Sequence, residues 1–356
     1  MNLKHSPSNT SRYEGCTVMG ALAVTAFVRD AVTLIHGPSG CAHLNATLFQ
    51  TTLMHQDRFA LPEILSSSMS EQDVIFGGED ALRTSLDEAV ALGPDAVFVV
   101  PTCVSETIGD DVETICSEYS CNGDLPVVMV RAGGFLGGTF HDGFVAALEA
   151  AAVFAGGATG ASEPARQRDY PVITIVGEKN LESEVEENYD EISRLLGLLG
   201  LTVSLRYVRD ITVGEMSLLS ESDLLIIRDD PDGRIEELCS SFSAAPVISG
   251  FPEGLKGSFA FLQSVAGCLG LDAGDALAAE TDYQAAIIAS FDDLKGLSIA
   301  FDSFGFQNAT DELFAELEEY FGMTLAASGV PIPVPFTTPV GSTGLRLMLR
   351  EWRRFL

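Results

Sequence analysis

Three cysteines within the first 103 residues have the clearest chemical potential in this sequence: Cys16, Cys41 and Cys103. Each lies in its own turn marked by glycine or proline, within the segments Glu14–Thr17, His36–Cys41 and Val99–Cys103. Cysteine thiolates are the usual ligands of iron–sulfur clusters. Any one of these cysteines alone is also compatible with a small packed side chain. Because the three turns are alike, the pattern predicts that all three thiolates converge on one iron–sulfur cluster.

The elements that must position these cysteines are predicted from alternating short β-branched runs and longer amphipathic stretches. In the first part of the chain the predicted strands are Ala31–Ile35, Ala96–Val100 and Pro126–Val130, and the predicted helices are Thr84–Ala91 and Gly143–Ala155. This alternation is typical of a parallel α/β sheet covered on both faces. Sites in open α/β sheets form at the carboxyl ends of strands, where Cys41 and Cys103 are expected. Ile108–Asp111 is predicted to start a helix whose N-terminus favours a nearby anion.

The fold class predicted for the whole chain is α/β, with two to three Rossmann-like units, parallel sheets and an abbreviated third unit. The second and third units are predicted from the strands Val172–Val176, Thr202–Tyr207, Leu224–Ile227, Pro246–Ile248, Leu297–Phe301 and Met323–Ala327 and the helices Glu182–Leu199, Thr310–Phe321 and Thr343–Phe355. Small and polar residues between the first two units indicate a linker. The predicted limits are 1–155 for a cluster-binding domain, 156–170 for the linker, 171–290 for a second domain and 291–356 for the short third unit.

Composition excludes several classes of function. The chain has 51 acidic and 20 basic residues, a net charge of −31, which disfavours binding to nucleic acid or to anionic membranes. The acidity fits solubility in a salty cytoplasm, and a face that steers a basic partner is the alternative. The sequence contains neither a run of 18 apolar residues nor an apolar leader, so we expect a cytoplasmic protein without a membrane span. Seven cysteines, an odd number, argue against a disulfide framework.

The remaining motifs limit the chemistry further. The sequence has no G-x-x-x-x-G-K-[ST] and no G-x-G-x-x-G after a strand, so ATP hydrolysis and standard dinucleotide binding are not indicated. A reductase built on this chain would therefore take its electrons from a partner. His43, His55 and His141 are candidates for proton delivery or substrate contact, although a structural hydrogen bond is the alternative for each. The other four cysteines have weaker contexts. Cys116 and Cys121 have a C-x4-C spacing that is too common to indicate a site, and Cys239 and Cys268, at apolar helix positions, are expected to serve in packing.

These motifs resemble the component 1 family of nitrogenase and nitrogenase-like reductases. The matching segments are Gly15-Cys16 with Gly20-Ala21, His36–Cys41, Asp73–Glu79, Thr102-Cys103 with Ile108–Asp111, and Gly134-Phe135 before Gly143. The resemblance implies that cysteines at the positions of Cys16, Cys41 and Cys103 hold a [4Fe–4S] cluster at a subunit interface. It also implies an iron-protein-like ATPase that docks over the cluster and delivers electrons. Substrate would then be reduced deeper in a cleft between domains.

Departures from the nitrogenase pattern narrow the resemblance. The segment Ile226–Asp230 has no cysteine and the chain after Ala327 has no histidine, so the ligands of nitrogenase's catalytic cofactor are missing. Dinitrogen reduction is therefore not expected. A short member with all three cysteines is most similar to the component of nickel-sirohydrochlorin a,c-diamide reductive cyclase, which acts in coenzyme F430 biosynthesis in methanogens. This resemblance implies a homodimer, a nickel tetrapyrrole as substrate and ATP hydrolysis by the partner.

Other functions remain open from the sequence. The chain resembles reductases of other substrates in the same family, such as a protochlorophyllide-type tetrapyrrole or a carbon–sulfur compound. A non-catalytic scaffold for metallocofactor assembly and an α/β binding protein with incidental cysteines are the alternatives from other classes. Only three cluster ligands are visible per chain. The fourth would come from the other subunit, a carboxylate, a backbone group or solvent.

Overall fold

The computed structural model describes residues 15–56, 62–123, 125–135, 137–155, 170–182, 184–302, 311–326, 328–333 and 339–356. They form two compact units that are interleaved in sequence. One, here called the cysteine unit, consists of Glu14–Val185 and Ser204–Ala245; the other, here called the C-terminal unit, includes Glu186–Val203 and Pro246–Leu356. The predicted domain limits stay predictions, and residues 156–169 of the predicted linker lie outside the described residues.

The chain contains short strands and helices in alternation. The strands are β1 Ala31–His36, β2 Ile64–Ser66, β3 Ala96–Pro101, β4 Val127–Met129, β5 Ile173–Val176, β6 Val203–Tyr207, β7 Leu224–Ile227, β8 Val247–Ser249, β9 Ser298–Asp302, β10 Thr324–Leu325 and β11 Val330–Pro333. The helices are α1 Thr17–Thr25, α2 Ser39–His55, α3 Glu71–Phe76, α4 Glu79–Ala91, α5 Cys103–Ile108, α6 Val112–Asn122, α7 Phe140–Ala155, α8 Val185–Leu198, α9 Arg234–Phe242, α10 Gly254–Leu269, α11 Gly274–Ser290, α12 Asp311–Phe321 and α13 Gly341–Trp352.

The first sheet of the cysteine unit has the strand order β2-β1-β3-β4, and every pair is parallel. All residues of β1 and β3 are buried, as expected for Val- and Ile-rich strands covered on both faces. The register pairs His36 with Pro101, so β1 and β3 end at the same edge of the sheet. The loops that lead to Cys41 and Cys103 therefore start side by side. The parallel α/β fold class predicted from the sequence is confirmed.

A second sheet of the same unit contains β6, β5 and β7 in that order. β5 pairs with β7 in parallel, from Ile173 opposite Leu224 to Val176 opposite Ile227. Both strands are entirely buried. Their carboxyl ends lead into the segments 177–182 and 228–232, which contain most of the charged residues of this sheet edge.

Two helices of the cysteine unit approach each other more closely than side chains would allow. A Cβ atom on Gly143 of α7 would lie 1.9 Å from the carbonyl oxygen of Thr17, and one on Gly20 of α1 would lie 1.9 Å from that of Phe140. The two backbones are therefore in direct contact at both positions. Because Thr17 follows Cys16, this contact fixes the start of α1 against α7.

The C-terminal unit has a three-stranded parallel sheet with the order β10-β9-β11. Its apolar core is supplemented by a buried polar network. The Glu280 carboxylate accepts hydrogen bonds from Arg194, Gln284 and Ser342 at 2.7, 3.0 and 2.5 Å. These bonds join α8 and α11 to the start of α13. None of the helices in the described ranges is both long and apolar enough to cross a membrane.

Several helices were not predicted from the sequence. All nine residues of α1 are buried, so this helix lacks the apolar and polar alternation on which helix prediction depends. None of the 17 residues of α2 is Asp, Glu, Lys or Arg, so the sequence shows no charged face opposite the buried one. The unpredicted helices of the described chain are α1, α2, α3, α5, α9, α10 and α11.

The contact between α1 and α7 generates a prediction with a matched control. We expect Gly143→Ala to lower the free energy of unfolding by about 1–3 kcal/mol, because the new methyl group would overlap the Thr17 carbonyl. Gly197→Ala, in an exposed position of α8 with open space around it, is expected to raise the free energy of unfolding by up to about 1 kcal/mol. Denaturant unfolding of both variants measures the difference. Equal effects of the two substitutions would contradict this packing.

Candidate functional site

The three cysteines predicted to bind a cluster lie at the starts of three helices. Cys16 is the N-cap of α1, Cys41 is the third residue of α2, and Cys103 is the first residue of α5. A helix is predicted to start at Ile108–Asp111, and Asp111 is the N-cap of α6, which begins at Val112. The structure adds the short helix α5, which begins at Cys103 itself.

The structure places the thiols of Cys16 and Cys103 close enough to Cys41 to affect its ionisation. Burial raises the pKa of the half-buried Cys41 thiol, and the thiols of Cys103 and Cys16 raise it further by electrostatic repulsion. Cys16 and Cys103 are exposed, so the group is open on one side. A group of neighbouring thiols is suited to binding a cation or an iron–sulfur cluster, because the metal compensates the negative charge of the thiolates.

The helix starts at these cysteines offer further groups to an anionic cluster. Among the described contacts, the N-caps Cys16, Pro38 and Thr102 supply no side-chain hydrogen bond to the first turns of α1, α2 and α5. The nearby helices α3 and α6, by contrast, are capped by Ser70 and Asp111. Uncapped helix starts favour negative charge. The thiols and the uncapped starts together fit an iron–sulfur cluster.

The loops of Cys41 and Cys103 are held together by the backbone near Gly37. The backbone N–H of Thr102 donates to the His36 carbonyl at 2.9 Å, and the Ser105 hydroxyl donates to the same oxygen at 3.1 Å. A Cβ on Gly37 would lie 2.1 Å from Oγ1 of Thr102. Only glycine allows this approach, so the start of the Cys41 loop fits directly against the residue before Cys103.

The Cys16 segment is joined to the Cys103 helix by the glycine-rich loop 133–138. A Cβ on Gly133 would lie 1.7 Å from the carboxylate of Glu106 in α5, and one on Gly134 would lie 2.6 Å from the hydroxyl of Thr17. Burial raises the pKa of Glu106. The sequence indicates this loop only through the family match at Gly134-Phe135. The structure shows that Gly133 and Gly134 let the loop lie directly against α5 and α1.

A fully buried hydrogen-bond chain lies beneath the Cys41 loop. His36 contacts Ser67 through Nδ1 and Asp110 through Nε2, each at 3.0 Å. The backbone N–H of Gly37 donates to Ser67 at 2.9 Å, and that of Gly78 donates to Asp110 at 2.9 Å. Burial lowers the pKa of His36 despite the hydrogen bond to Asp110. This chain ties the Cys41 loop to the segment that follows Cys103.

The histidines predicted to deliver protons lie in different surroundings. His43 is exposed on α2, and the side chain of His55 lies outside the described residues. His141 Nε2 lies 3.0 Å from Oδ1 of Asp232. Burial opposes ionisation of Asp232, but hydrogen bonds from His141 and Arg234 prevail and lower its pKa to about 2. The contacts described for His141 thus lead to a carboxylate rather than to a thiol.

The ligand atoms of His141, Asp230 and Asp232 lie within 4.8 Å of one another, a spacing that suits a metal ion. Their hydrogen bonds have structural roles, however. Asp230 accepts from the backbone N–H groups of Ile235 and Glu236 at the start of α9. We therefore assign Asp230 to helix capping.

The remaining cysteines differ in exposure. Cys116 and Cys239 are buried, and burial raises the pKa of each to about 12. Cys121 and Cys268 are exposed. The two buried thiols are therefore poor ligands, which for Cys239 agrees with the packing role expected from the sequence.

The buried His36 predicts a pH dependence of stability. Its pKa in the folded protein lies below the ordinary value of 6.5, so protonation favours the unfolded state. Its contribution to the free energy of unfolding is present above pH 6.5 and decreases as the pH falls below it, by at most about 1.4 kcal/mol per pH unit. We expect urea unfolding between pH 7.5 and 5.5 to show this decrease in wild type and in His43→Gln, the exposed control. The same slope in His36→Gln would contradict the assignment.

Known proteins match this chain over most of its length. Residues 16–301 match the family profile described as nitrogenase component 1 type oxidoreductase. The nitrogenase molybdenum-iron protein alpha chain of Methanococcus maripaludis is 28% identical over 231 residues, covering 60% of this chain and 46% of that protein. The nitrogenase iron-molybdenum cofactor biosynthesis protein NifE of Methanosarcina barkeri is 36% identical over 138 residues, covering 38% of this chain and 29% of that protein.

Similarity in structure extends further along the chain than similarity in sequence. The solved structure "Nitrogenase Cp1 at pH 6.5" superposes with a TM-score of 0.64 at 21% identity, covering 88% of this chain and 60% of that one. This likeness confirms the fold expected from the sequence. The chain spans about half the length, or less, of the curated relatives it matches. Because the family profile matches most of the chain, this protein belongs to the nitrogenase component 1 type oxidoreductase family.

Proposed function

We propose that this chain is the iron–sulfur component of an ATP-dependent reductase. In this proposal it receives electrons from an iron-protein-like ATPase and reductively cyclises a nickel tetrapyrrole, nickel-sirohydrochlorin a,c-diamide, in coenzyme F430 biosynthesis. The observation that carries the proposal is that Cys16, Cys41 and Cys103 lie at three helix starts, with the first and third thiols close enough to Cys41 to raise its pKa. Family membership and the motifs around these cysteines support it. The cytoplasm stays the predicted location.

Cys16, Cys41 and Cys103 would hold a [4Fe–4S] cluster, which supplies one-electron transfer when bound. The residues of this chain would hold the three thiols in position and compensate the negative charge of the cluster. The loop contacts at Gly37 and at Gly133–Gly134 hold the ligands in place, and the uncapped starts of α1 and α2 favour negative charge beside them. His43, His55 and His141 stay candidates for proton delivery or substrate contact.

The surface of α2 supports a homodimer. This helix buries Asn45, Phe49 and Leu53, whereas Leu44 and Leu48 are exposed. It has no Asp, Glu, Lys or Arg, although the chain carries a net charge of −31. Two copies of so acidic a chain repel each other unless their contact surface is free of acidic groups. The exposed face of α2, beside Cys41, is therefore the surface that a second copy of this chain would cover.

A different apolar surface supports docking of the ATPase partner. Ile75 and Phe76 at the end of α3 are 72% and 86% exposed. The following Gly78 is hydrogen-bonded to Asp110, which lies shortly after the Cys103 helix. Large exposed apolar side chains beside a redox site are typical of interaction surfaces. A partner bound there would approach the cysteines closely.

A second candidate function is a scaffold on which a metallocofactor is assembled. The 36% identity to a protein named for cofactor biosynthesis supports it. A scaffold would bind the same cluster and show no turnover with the ATPase, ATP and tetrapyrrole. Reduction of another substrate by the same electron-transfer arrangement is the remaining alternative.

The cluster assignment can be tested with cysteine variants purified without oxygen. We expect Cys103→Ala to lose most of its bound iron and sulfide, because one of three thiolate ligands is removed. Cys121→Ala, which removes an exposed cysteine outside this group, is the control and should retain wild-type iron. Cyclisation of the nickel tetrapyrrole should require the partner and ATP, and Cys103→Ala should abolish it. Full iron content in Cys103→Ala would refute the cluster assignment, and turnover without the partner would refute the reductase assignment.

The dimer can be tested by placing charge on α2. Leu48→Glu adds an acidic group to the neutral face, so we expect it to convert a dimer into a monomer in sedimentation equilibrium. Val153→Glu, at an exposed position of α7, is the control and should remain dimeric. A wild-type monomer at micromolar concentration would contradict the homodimer, and a dimeric Leu48→Glu protein would exclude this face as the interface.

A further inference from the structure

Charged residues of both signs are concentrated at the carboxyl ends of β5, β6 and β7. The basic residues are Lys179, Arg206, Arg209 and Arg228, and the acidic residues are Glu178, Glu182, Asp210, Asp229, Asp230 and Asp232. This sheet edge therefore has four basic residues beside six acidic ones, a higher basic share than the 20 against 51 of the whole chain. An anionic ligand would be repelled less here than over most of the surface.

The backbone at the end of β6 is strained. Val208 and Asp210 have φ angles of 61° and 57°, in the left-handed region that a β-branched valine rarely adopts. Each such residue costs about 1–3 kcal/mol. The strain is held by Asn180, which donates to the Val208 carbonyl at 2.9 Å and accepts from Arg209 at 3.2 Å. Strained backbone held by buried polar contacts is common at ligand sites.

This edge is hydrogen-bonded to both α1 and α2, the helices whose starts carry Cys16 and Cys41. Nδ2 of Asn180 donates to the carbonyl of Ala23 in α1 at 2.8 Å. Gln56, directly after α2, donates to the carbonyls of Asn180 and Glu182 at 3.0 and 2.6 Å. Ala23 is seven residues after Cys16, a helical rise of about 10 Å. The contact at Ala23 therefore lies about two helical turns from Cys16, whereas Gln56 is 15 residues, about 22 Å along α2, from Cys41.

The cations of this edge differ in how firmly they are held. Arg206 makes two hydrogen bonds, at 2.8 and 2.7 Å, to Glu178, which is 2% exposed. Lys179 instead lies 3.1 Å from Asp229, whose side chain is 47% exposed, and 3.9 Å from Glu182. The first pair is a fixed part of the structure. The second joins a flexible ammonium group to a carboxylate that is free to turn into solvent.

We propose that the carboxyl ends of β5 and β7 bind a carboxylate of the substrate, with Lys179 as the binding cation. In the free protein Asp229 pairs with Lys179, and a carboxylate of the substrate takes its place when the substrate binds. The inference rests on the proposed function and extends it: the substrate is recognised as a polycarboxylate tetrapyrrole, through its acidic side chains. The buried pair Arg206–Glu178 and the strained turn at Arg209 form the rigid base of the site.

Displacement predicts opposite effects of two substitutions. Lys179→Gln removes the binding cation, so affinity should fall by about fivefold. Asp229→Asn removes the internal competitor, so affinity should rise by about threefold or more. Lys256→Gln is the control, because Lys256 forms a more exposed lysine–carboxylate pair with Glu319 in the C-terminal unit. The measurement is fluorescence titration of each full-length, iron-loaded protein with uroporphyrin I, which has eight carboxylates, and with deuteroporphyrin IX, which has two.

Each outcome bears on the inference. Weaker binding of uroporphyrin I by Lys179→Gln and tighter binding by Asp229→Asn, with Lys256→Gln unchanged, support it. Equal effects of Lys179→Gln and Lys256→Gln, or weaker binding by Asp229→Asn, overturn it and leave the reductase proposal in place. Tighter binding of deuteroporphyrin IX than of uroporphyrin I overturns recognition through carboxylates. If iron-loaded wild type binds neither porphyrin, the tetrapyrrole assignment falls together with this inference.

Discussion

The cysteine unit depends on holding the thiols of Cys16 and Cys103 close to that of Cys41, although their proximity opposes its ionisation. The thiols of Cys103 and Cys16 disfavour ionisation of Cys41, in addition to its burial. Such an arrangement is maintained only if the backbone that carries the thiols is rigid. The parallel pairing of β1 with β3, which brings His36 beside Pro101, provides the first level of this rigidity.

The second level is close contact between backbones. Gly37 fits against Thr102, Gly133 against Glu106, and Gly143 against Thr17. Any side chain at these glycines would separate the segments that carry the cysteines. The buried chain from Ser67 through His36 to Asp110 adds hydrogen bonds whose loss would leave polar groups buried without partners. Steric and polar constraints thus act on the same three loops.

The sequence allowed the fold class and the cysteines to be predicted because both leave local signals. Val- and Ile-rich runs identify β1, β3 and β5, and each cysteine stands in a turn marked by glycine or proline. The helices α1 and α2 escaped prediction because one is buried on every side and the other has no charge. The ionic edge around Lys179 and Asp229 escaped for a different reason. Its residues are spread over 50 positions and meet only through the parallel pairing of β5 with β7.

The uncharged surface of α2 also has a consequence for how ions influence this protein. In most acidic complexes, dissolved salt weakens ion pairs across the contact and loosens association. A contact formed by a helix without any charge has no such pairs to lose. Salt would then act only on the repulsion between two chains of net charge −31, and reduce it. A concentrated electrolyte would thus strengthen self-association of this protein, whereas dilute buffer would weaken it.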